Sequence, residues 1–148
     1  MDKKNRGVIM KISTKGRYGL TIMIELAKHF GDGPIPLRQI AAEKGLSEAY
    51  LEQLVSPLRI AGLVKSVRGA YGGYLLALPP SKISAADVIK VLEGPIQPVE
   101  GIENEEVPQQ QLWMRIRDAV KNVLDTTSIE DLANYNDESD VDGYMFYI

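Results

Sequence analysis

The stretch Ser47-Glu48-Ala49-Tyr50-Leu51-Glu52-Gln53-Leu54-Val55-Ser56-Pro57-Leu58 decides the fold. Leu51, Leu54, Val55 and Leu58 recur at i, i+3, i+4 and i+7, the spacing that lines one face of an α-helix. Ser47 stands where an N-cap belongs, and Glu48 lies in the first turn, where the helix dipole favours a carboxylate. At about 100° per residue the opposite face carries Ala49, Gln53 and Ser56, flanked by Tyr50 and Glu52. Pro57 is expected to bend or fray the last turn and Gly62 to cap it.

Working outward, two apolar runs of strand length follow, 63–67 and 74–78, separated by Arg68-Gly69-Ala70-Tyr71-Gly72-Gly73. This predicts a hairpin with a flexible, cationic, aromatic tip, stopped by Pro79-Pro80. On the other side, Gly45 breaks a short helix expected over 37–44, with Pro36 placed to start it and Leu37, Ile40 and Ala41 facing inward. A longer helix runs from Ser13 to a cap at Gly31. Leu20, Met23, Ile24 and Ala27 form one apolar row on it; Ile22, Leu26 and Phe30 form a second. Only Thr21, Glu25 and Lys28 remain for water, so this helix is expected to lie between its own domain and another surface, such as a partner subunit. Helix, helix, tight turn, helix, hairpin is the order of a winged helix-turn-helix. A helix roughly 10–12 Å across fits the major groove of DNA, about 12 Å wide.

Further along, Ser84-Ala85-Ala86-Asp87 opens a helix through Leu92 that Gly94-Pro95 ends. Residues 96–108, with Glu100, Glu103, Glu105 and Glu106, read as a mobile acidic loop. From Gln109 to Leu124 the residues Leu112, Trp113, Ile116, Ala119, Val120, Val123 and Leu124 cover about 140° of helix circumference, wider than the ~100° stripe of a surface helix. That width predicts contact with both the helix's own domain and a second chain. A short helix is expected over 129–133. The fold class is therefore mainly α with a small β-hairpin: a winged helix-turn-helix domain plus a long C-terminal dimerisation helix. Its expected parts are a poorly ordered N-terminal extension over 1–9, the winged domain over 10–80, and an acidic dimerisation and partner-binding region over 81–148.

Composition narrows the chemistry. The 148 residues, 45% hydrophobic and 25% charged, suit one globular unit. There is no cysteine and one histidine, His29, which removes disulfides, thiolate metal sites, iron–sulfur clusters and most imidazole chemistry. No Walker sequence, dinucleotide fingerprint or G-x-S-x-G occurs, so an enzyme is the least expected class, and neither cofactor nor metal is expected. The loop carboxylates lack the ordered spacing of a cation site. No apolar run reaches the ~18 residues of a membrane span, and the start has no secretory signal, so the expected location is the cytoplasm. The net charge of −3 conceals segregation: residues 1–82 hold 13 Lys and Arg against 6 Asp and Glu, and residues 83–148 hold 4 against 14. The basic half suits a polyanion, or the separation serves solubility alone.

Within the basic half, Gln53 is a candidate for bidentate contact with adenine and Glu52 for accepting from a cytosine amino group. Lys11, Lys15 and Arg17, with Ser13 among them, gather at the first helix's start as candidate phosphate contacts. Arg68, Gly69 and Tyr71 occupy the hairpin tip, where glycines let backbone approach DNA. The alternative for each of these is a solvated surface residue, the commoner origin of any single cation at the first helix's start.

The stretches Lys11-Ile12-Ser13-Thr14-Lys15-Gly16-Arg17-Tyr18-Gly19-Leu20, Leu46 through Leu54, and Leu58 through Tyr74 together resemble the bacterial IscR/NsrR/CymR (Rrf-type) family of winged-helix transcriptional regulators. The likeness extends over nearly the whole chain beyond the arm. It implies a homodimer joined through the long helix by Leu112, Trp113, Ile116, Ala119, Val120 and Val123. It also implies DNA contacts from Ser47, Ala49, Tyr50, Glu52, Gln53 and Arg68. Many members hold an iron–sulfur cluster with three cysteines in the segment matching 96–108; this chain has none of them. Lack of those cysteines, with Leu92 through Val99, Leu112 through Val120 and the ending Tyr144-Met145-Phe146-Tyr147-Ile148, is similar to the branch that represses cysteine and sulfur-assimilation genes. That branch implies a partner, the cysteine synthase (O-acetylserine thiol-lyase, CysK). A terminal isoleucine carboxylate suits an amino-acid-binding cleft, so Tyr147 and Ile148 are candidate partner-binding residues; folding of 144–148 back onto the dimer is the alternative. Two rivals stand beside a DNA-binding repressor: a winged-helix scaffold for protein docking, and a regulator of other genes gated by a small molecule bound between the acidic loop and the long helix.

Overall fold

The computed structural model describes residues 12–97 and 101–135. Helices α1 (Thr14–Lys28), α2 (Leu37–Lys44) and α3 (Glu48–Ile60) lead into an antiparallel hairpin of β1 (Val64–Val67) and β2 (Gly73–Leu76). There follow α4 (Ala85–Glu93), α5 (Val107–Thr126) and α6 (Ile129–Ala133), with single 3-10 turns at Pro80–Lys82 and Ile102–Asn104. The architecture is a winged helix-turn-helix, mainly helical, with the long helix behind it.

Local chemistry sets the element ends. The Tyr50 N–H donates to Ser47 Oγ at 3.3 Å at the start of α3. Gly45, at φ +66°, turns the chain left-handed between α2 and α3, which only glycine does without cost. Pro57 does not fray α3. The helix continues to Ile60, and the Ala61, Gly62 and Leu63 N–H groups bond back to Pro57, Arg59 and Leu58 carbonyls at 3.0 Å, with Gly62 at φ +83°. The missing proline N–H would have bonded Gln53, an exposed residue, so water can take its place. Ser84 and Asp87 form a full capping box on α4, and Ser128 and Asp131 form another on α6.

In the wing, Val64 stands opposite Leu76 and Val67 opposite Gly73. Ile35, in the α1–α2 loop, exchanges two 2.8 Å backbone hydrogen bonds with Tyr74 and so adds a single rung on the outer edge of β2. Gly73, at φ +152°, makes this approach possible because a Cβ there would strike the Ile35 backbone.

One apolar core joins Ile22, Met23 and Leu26 of α1 to Leu51, Leu54, Val55 and Leu58 of α3. Val64 and Leu76 of the wing, Val88 and Leu92 of α4, and Ile129 of α6 complete it. Much of both apolar rows of α1 is covered within the chain, because α1 packs on α3 and β2 and also on α4 and α6, but Leu20 and Ile24 stay half-buried. Phe30 lies past the end of α1 and is 48% exposed, so it does not extend the second row. Glu25, expected to face water, is only 6% exposed and bonds Lys44 at 3.0 Å and Lys28 at 3.5 Å. Burial pushes its carboxyl up, but the Lys44 hydrogen bond and charge, with those of Lys28, more than offset this and hold it below the ordinary carboxylate range.

The acidic connection is shorter than the sequence implies, because α5 starts at Val107 with Pro108 in its first turn. The far end of α5 is tied down: Ala85 N–H donates to the Thr127 carbonyl and Ile129 N–H to the Ile83 carbonyl, both at 2.8 Å. No residue of α5 is buried. Among the described residues no helix is long and apolar enough to cross a membrane.

Candidate nucleic-acid interface

With Leu51, Leu54, Val55 and Leu58 turned into the core, α3 presents Ala49, Glu52 and Gln53 to solvent, and Ser47 is exposed at its start. Tyr50 is half-buried because Tyr18 of α1 meets it edge to face, with ring centroids 5.9 Å apart. That contact places the opening turns of α1 beside the N-terminal half of α3. Lys15 and Arg17 are exposed on those turns. Ser13, half-buried, turns its hydroxyl inward to donate to Glu93 Oε1. Lys11 lies outside the described residues.

The wing tip runs from Arg68 to Gly72. Gly72 N–H bonds the Gly69 carbonyl at 3.0 Å, and a Cβ on Gly72 would meet the Val67 carbonyl, so a glycine closes this turn. Arg68 and Gly69 are exposed, and Tyr71 is 94% exposed. An aromatic ring almost wholly in water contributes nothing to the core and is free to meet a ligand. The three candidate elements therefore share one property: their cationic, polar or aromatic groups are presented to solvent by backbone fixed from behind.

On α5, Leu112 and Val123 are 46% and 60% exposed; Ala119 is exposed, and Trp113, Ile116 and Val120 are half-buried. A cleft of about 320 Å³ lies between this face and Ile12, lined by Ile12, Ala119, Val120, Val123 and Leu124. A second cavity of about 480 Å³ sits between the acidic connection and α5, lined by Gln97, Gly101, Ile102, Glu103, Gln110, Met114 and Arg117. Tyr147 and Ile148 lie outside the described residues.

Reading the sequence missed Glu93, which reaches α1 from the end of α4, and the Ile35–Tyr74 rung. The glycines at 16 and 19, one turn apart inside a helix, are the trace that close packing against α1 leaves in the sequence.

Residues 12–135 match the family described as Rrf2, iron-dependent transcriptional regulator. The chain is 67% identical over 139 residues to the HTH-type transcriptional regulator CymR of Bacillus subtilis (strain 168), covering 94% of this chain and all of that one. It is 39% identical over 140 residues to the regulator IscR of Photorhabdus laumondii, covering 90% and 85%. The solved structure of B. subtilis CymR, described as the global cysteine regulator, superposes with a TM-score of 0.82 at 68% identity, over 86% of this chain and 98% of that one.

Among the described residues the iron in the family's description finds no fitting ligand set. The chain has no cysteine, and its one histidine, His29, is half-exposed at the end of α1, 4.0 Å from Asp32. Among the described residues no three His, Asp or Glu side chains converge to hold a metal. Fold, matched span and relatives agree, and the chain belongs to the Rrf2 family of winged-helix transcriptional regulators.

Proposed function

We propose that this protein is a DNA-binding transcriptional repressor that acts as a homodimer, reading a pseudo-palindromic operator through α3. The observation that carries the reading is the exposed polar face of α3, together with the exposed cations in the opening turns of α1 and the exposed wing tip. In this reading Ala49, Glu52 and Gln53 meet base edges, while Ser47, Lys11, Lys15 and Arg17 meet phosphates; Ser13, whose hydroxyl is taken by Glu93, is not among them. Arg68, Gly69 and Tyr71 follow the neighbouring backbone or minor groove, and Tyr50 sits at the rim of the α3 face. The half-sites would lie about one helical turn, ~34–36 Å, apart.

The dimer forms by pairing α5 faces through Leu112, Trp113, Ile116, Ala119, Val120 and Val123. An α-helix of this length with no buried residue and exposed aliphatics is costly in water, and a second copy removes that cost. The regulated genes are those of cysteine and sulfur metabolism, in keeping with the description of the B. subtilis relative as a global cysteine regulator. The partner that reports cysteine status is the cysteine synthase CysK. The site of action is the cytoplasm, and the protein is not an enzyme.

A gel-shift titration across salt tests the reading. Binding to a duplex should fall by roughly 10³–10⁵-fold between 50 and 200 mM salt for six to ten phosphate contacts. No binding at low salt, with or without purified CysK, would leave the protein-docking scaffold in its place. The 480 Å³ cavity favours a second reading, in which a small polar effector binds between the acidic connection and α5.

A further inference from the structure

Four helices are preceded by serine, and one of them is capped differently from the other three. Ser47, Ser84 and Ser128 each accept the backbone N–H three residues on, as an N-cap should. Ser13 precedes α1 in the same position yet makes no such bond. Its hydroxyl donates instead to Glu93 Oε1, and that same oxygen accepts the Gly16 N–H at 3.2 Å. The carboxylate of α4's last residue thus satisfies the α1 amide that Ser13 leaves free.

The packing around it is built for this approach. A Cβ on Gly16 would stand 2.8 Å from Glu93 Oε1 and 3.0 Å from Ile89 Cδ1, and one on Gly19 would strike Leu92. Glycines at both positions let α1 and α4 come close enough for the carboxylate to reach the amide. Beyond Glu93 the chain turns at Gly94, φ +83°, and four residues after Glu93 reaches Gln97, in the wall of the 480 Å³ cavity. On the other side, α1 carries exposed Lys15 and Arg17, and Tyr18 holds Tyr50 of α3.

We propose that Glu93 is a positioning residue for DNA binding. It caps α1 from another helix, holds the Lys15–Arg17 turn in its phosphate-facing pose, and makes that pose depend on the α4–α5 connection. This rests on the DNA-binding reading above, but its first measurement does not require DNA.

The test compares Glu93→Ala, Glu93→Gln and Ser13→Ala in the full-length protein. Hydrogen exchange of amides 14–18 without DNA should speed up at least tenfold in E93A, less in S13A, and little in E93Q, whose amide oxygen still accepts. Affinity for a 30-base-pair duplex of random sequence is then measured against salt. E93A should bind about tenfold more weakly, with a salt slope reduced by one to two phosphates. Simple removal of a negative charge would instead tighten binding. E93Q should stay within threefold of wild type, and S13A should fall between the two. The proposal is overturned by unchanged exchange in S13A and E93A, by a slope unaltered despite faster exchange, or by E93Q failing as E93A does. If E93A does not fold, S13A and E93Q still decide. If wild type binds no duplex, the DNA-binding reading fails and the exchange result alone judges the cap.

Discussion

Gln53 and Glu52 stand on one exposed arc of α3 and should separate base reading from backbone attraction. Gln53→Ala is expected to weaken operator binding by about 1–3 kcal/mol while leaving random-duplex affinity within twofold. Glu52→Ala should cost operator affinity but slightly raise affinity for random DNA, since a carboxylate no longer faces phosphates. Anisotropy titrations on both duplexes check this; equal losses on both exclude base reading. Glu25 makes a different point. Its folded carboxyl lies below the unfolded value, so its contribution is present above about pH 4.5, the ordinary value. It is lost as pH falls through the depressed folded value. Glu25→Gln should therefore lower stability by about 1–2 kcal/mol at pH 7, and the gap to wild type should close toward pH 3 in urea titrations. Pattern alone assigned Glu25 to water because it lies between two apolar rows. The sequence does not show that Lys44, at the end of α2, arrives beside it, since that depends on how two helices cross.

The wing and α5 show how far an element is legible before its neighbours are known. The hairpin follows from two β-rich runs around a glycine-rich tip, but the rung on the outer edge of β2 depends on a loop residue, Ile35, that has no strand pattern. Gly73→Ala should cost about 2 kcal/mol or more, from a strained φ and from collision with Ile35. Gly69→Ala, at φ +115° in open space, should cost only about 1 kcal/mol. Thermal unfolding of both variants tests whether the rung or the turn conformation dominates. For α5 the broad apolar arc was legible from spacing. Its start at Val107 was not, because Pro108 reads as a breaker until it is placed in a helix's first turn. Val123→Asp changes a side chain 60% exposed in the single chain and should leave its helical content intact while halving the mass in sedimentation at micromolar concentration. A mass unchanged by this substitution would remove Val123 from the proposed dimer face.

At the scale of the molecule, the order of helices and hairpin was readable because each boundary carries its own chemistry: serine caps, left-handed glycines and a proline start. The arrangement around α1 was not. Two apolar rows show that a helix is covered on both sides, and nothing in the spacing distinguishes a neighbouring chain from a later segment of the same chain. Here Val88, Leu92 and Ile129 return to cover it. If the remaining apolar face on α5 closes against a second copy, unfolding couples to association, and the melting temperature should rise with protein concentration. A melting temperature independent of concentration over a hundredfold range would count against the pairing.

The two 2.8 Å bonds that fasten 83–85 to 127–129 brace the long rod against the reading head at the rod's C-terminal end. Two such molecules joined rod to rod would then behave more like welded tongs than hinged ones. With that brace intact, the gap between the jaws changes by one rod slipping along or rolling over the other. Each residue of slip displaces a head by about 1.5 Å, so an input that retunes the gap must repack the rod seam in steps rather than flex it smoothly.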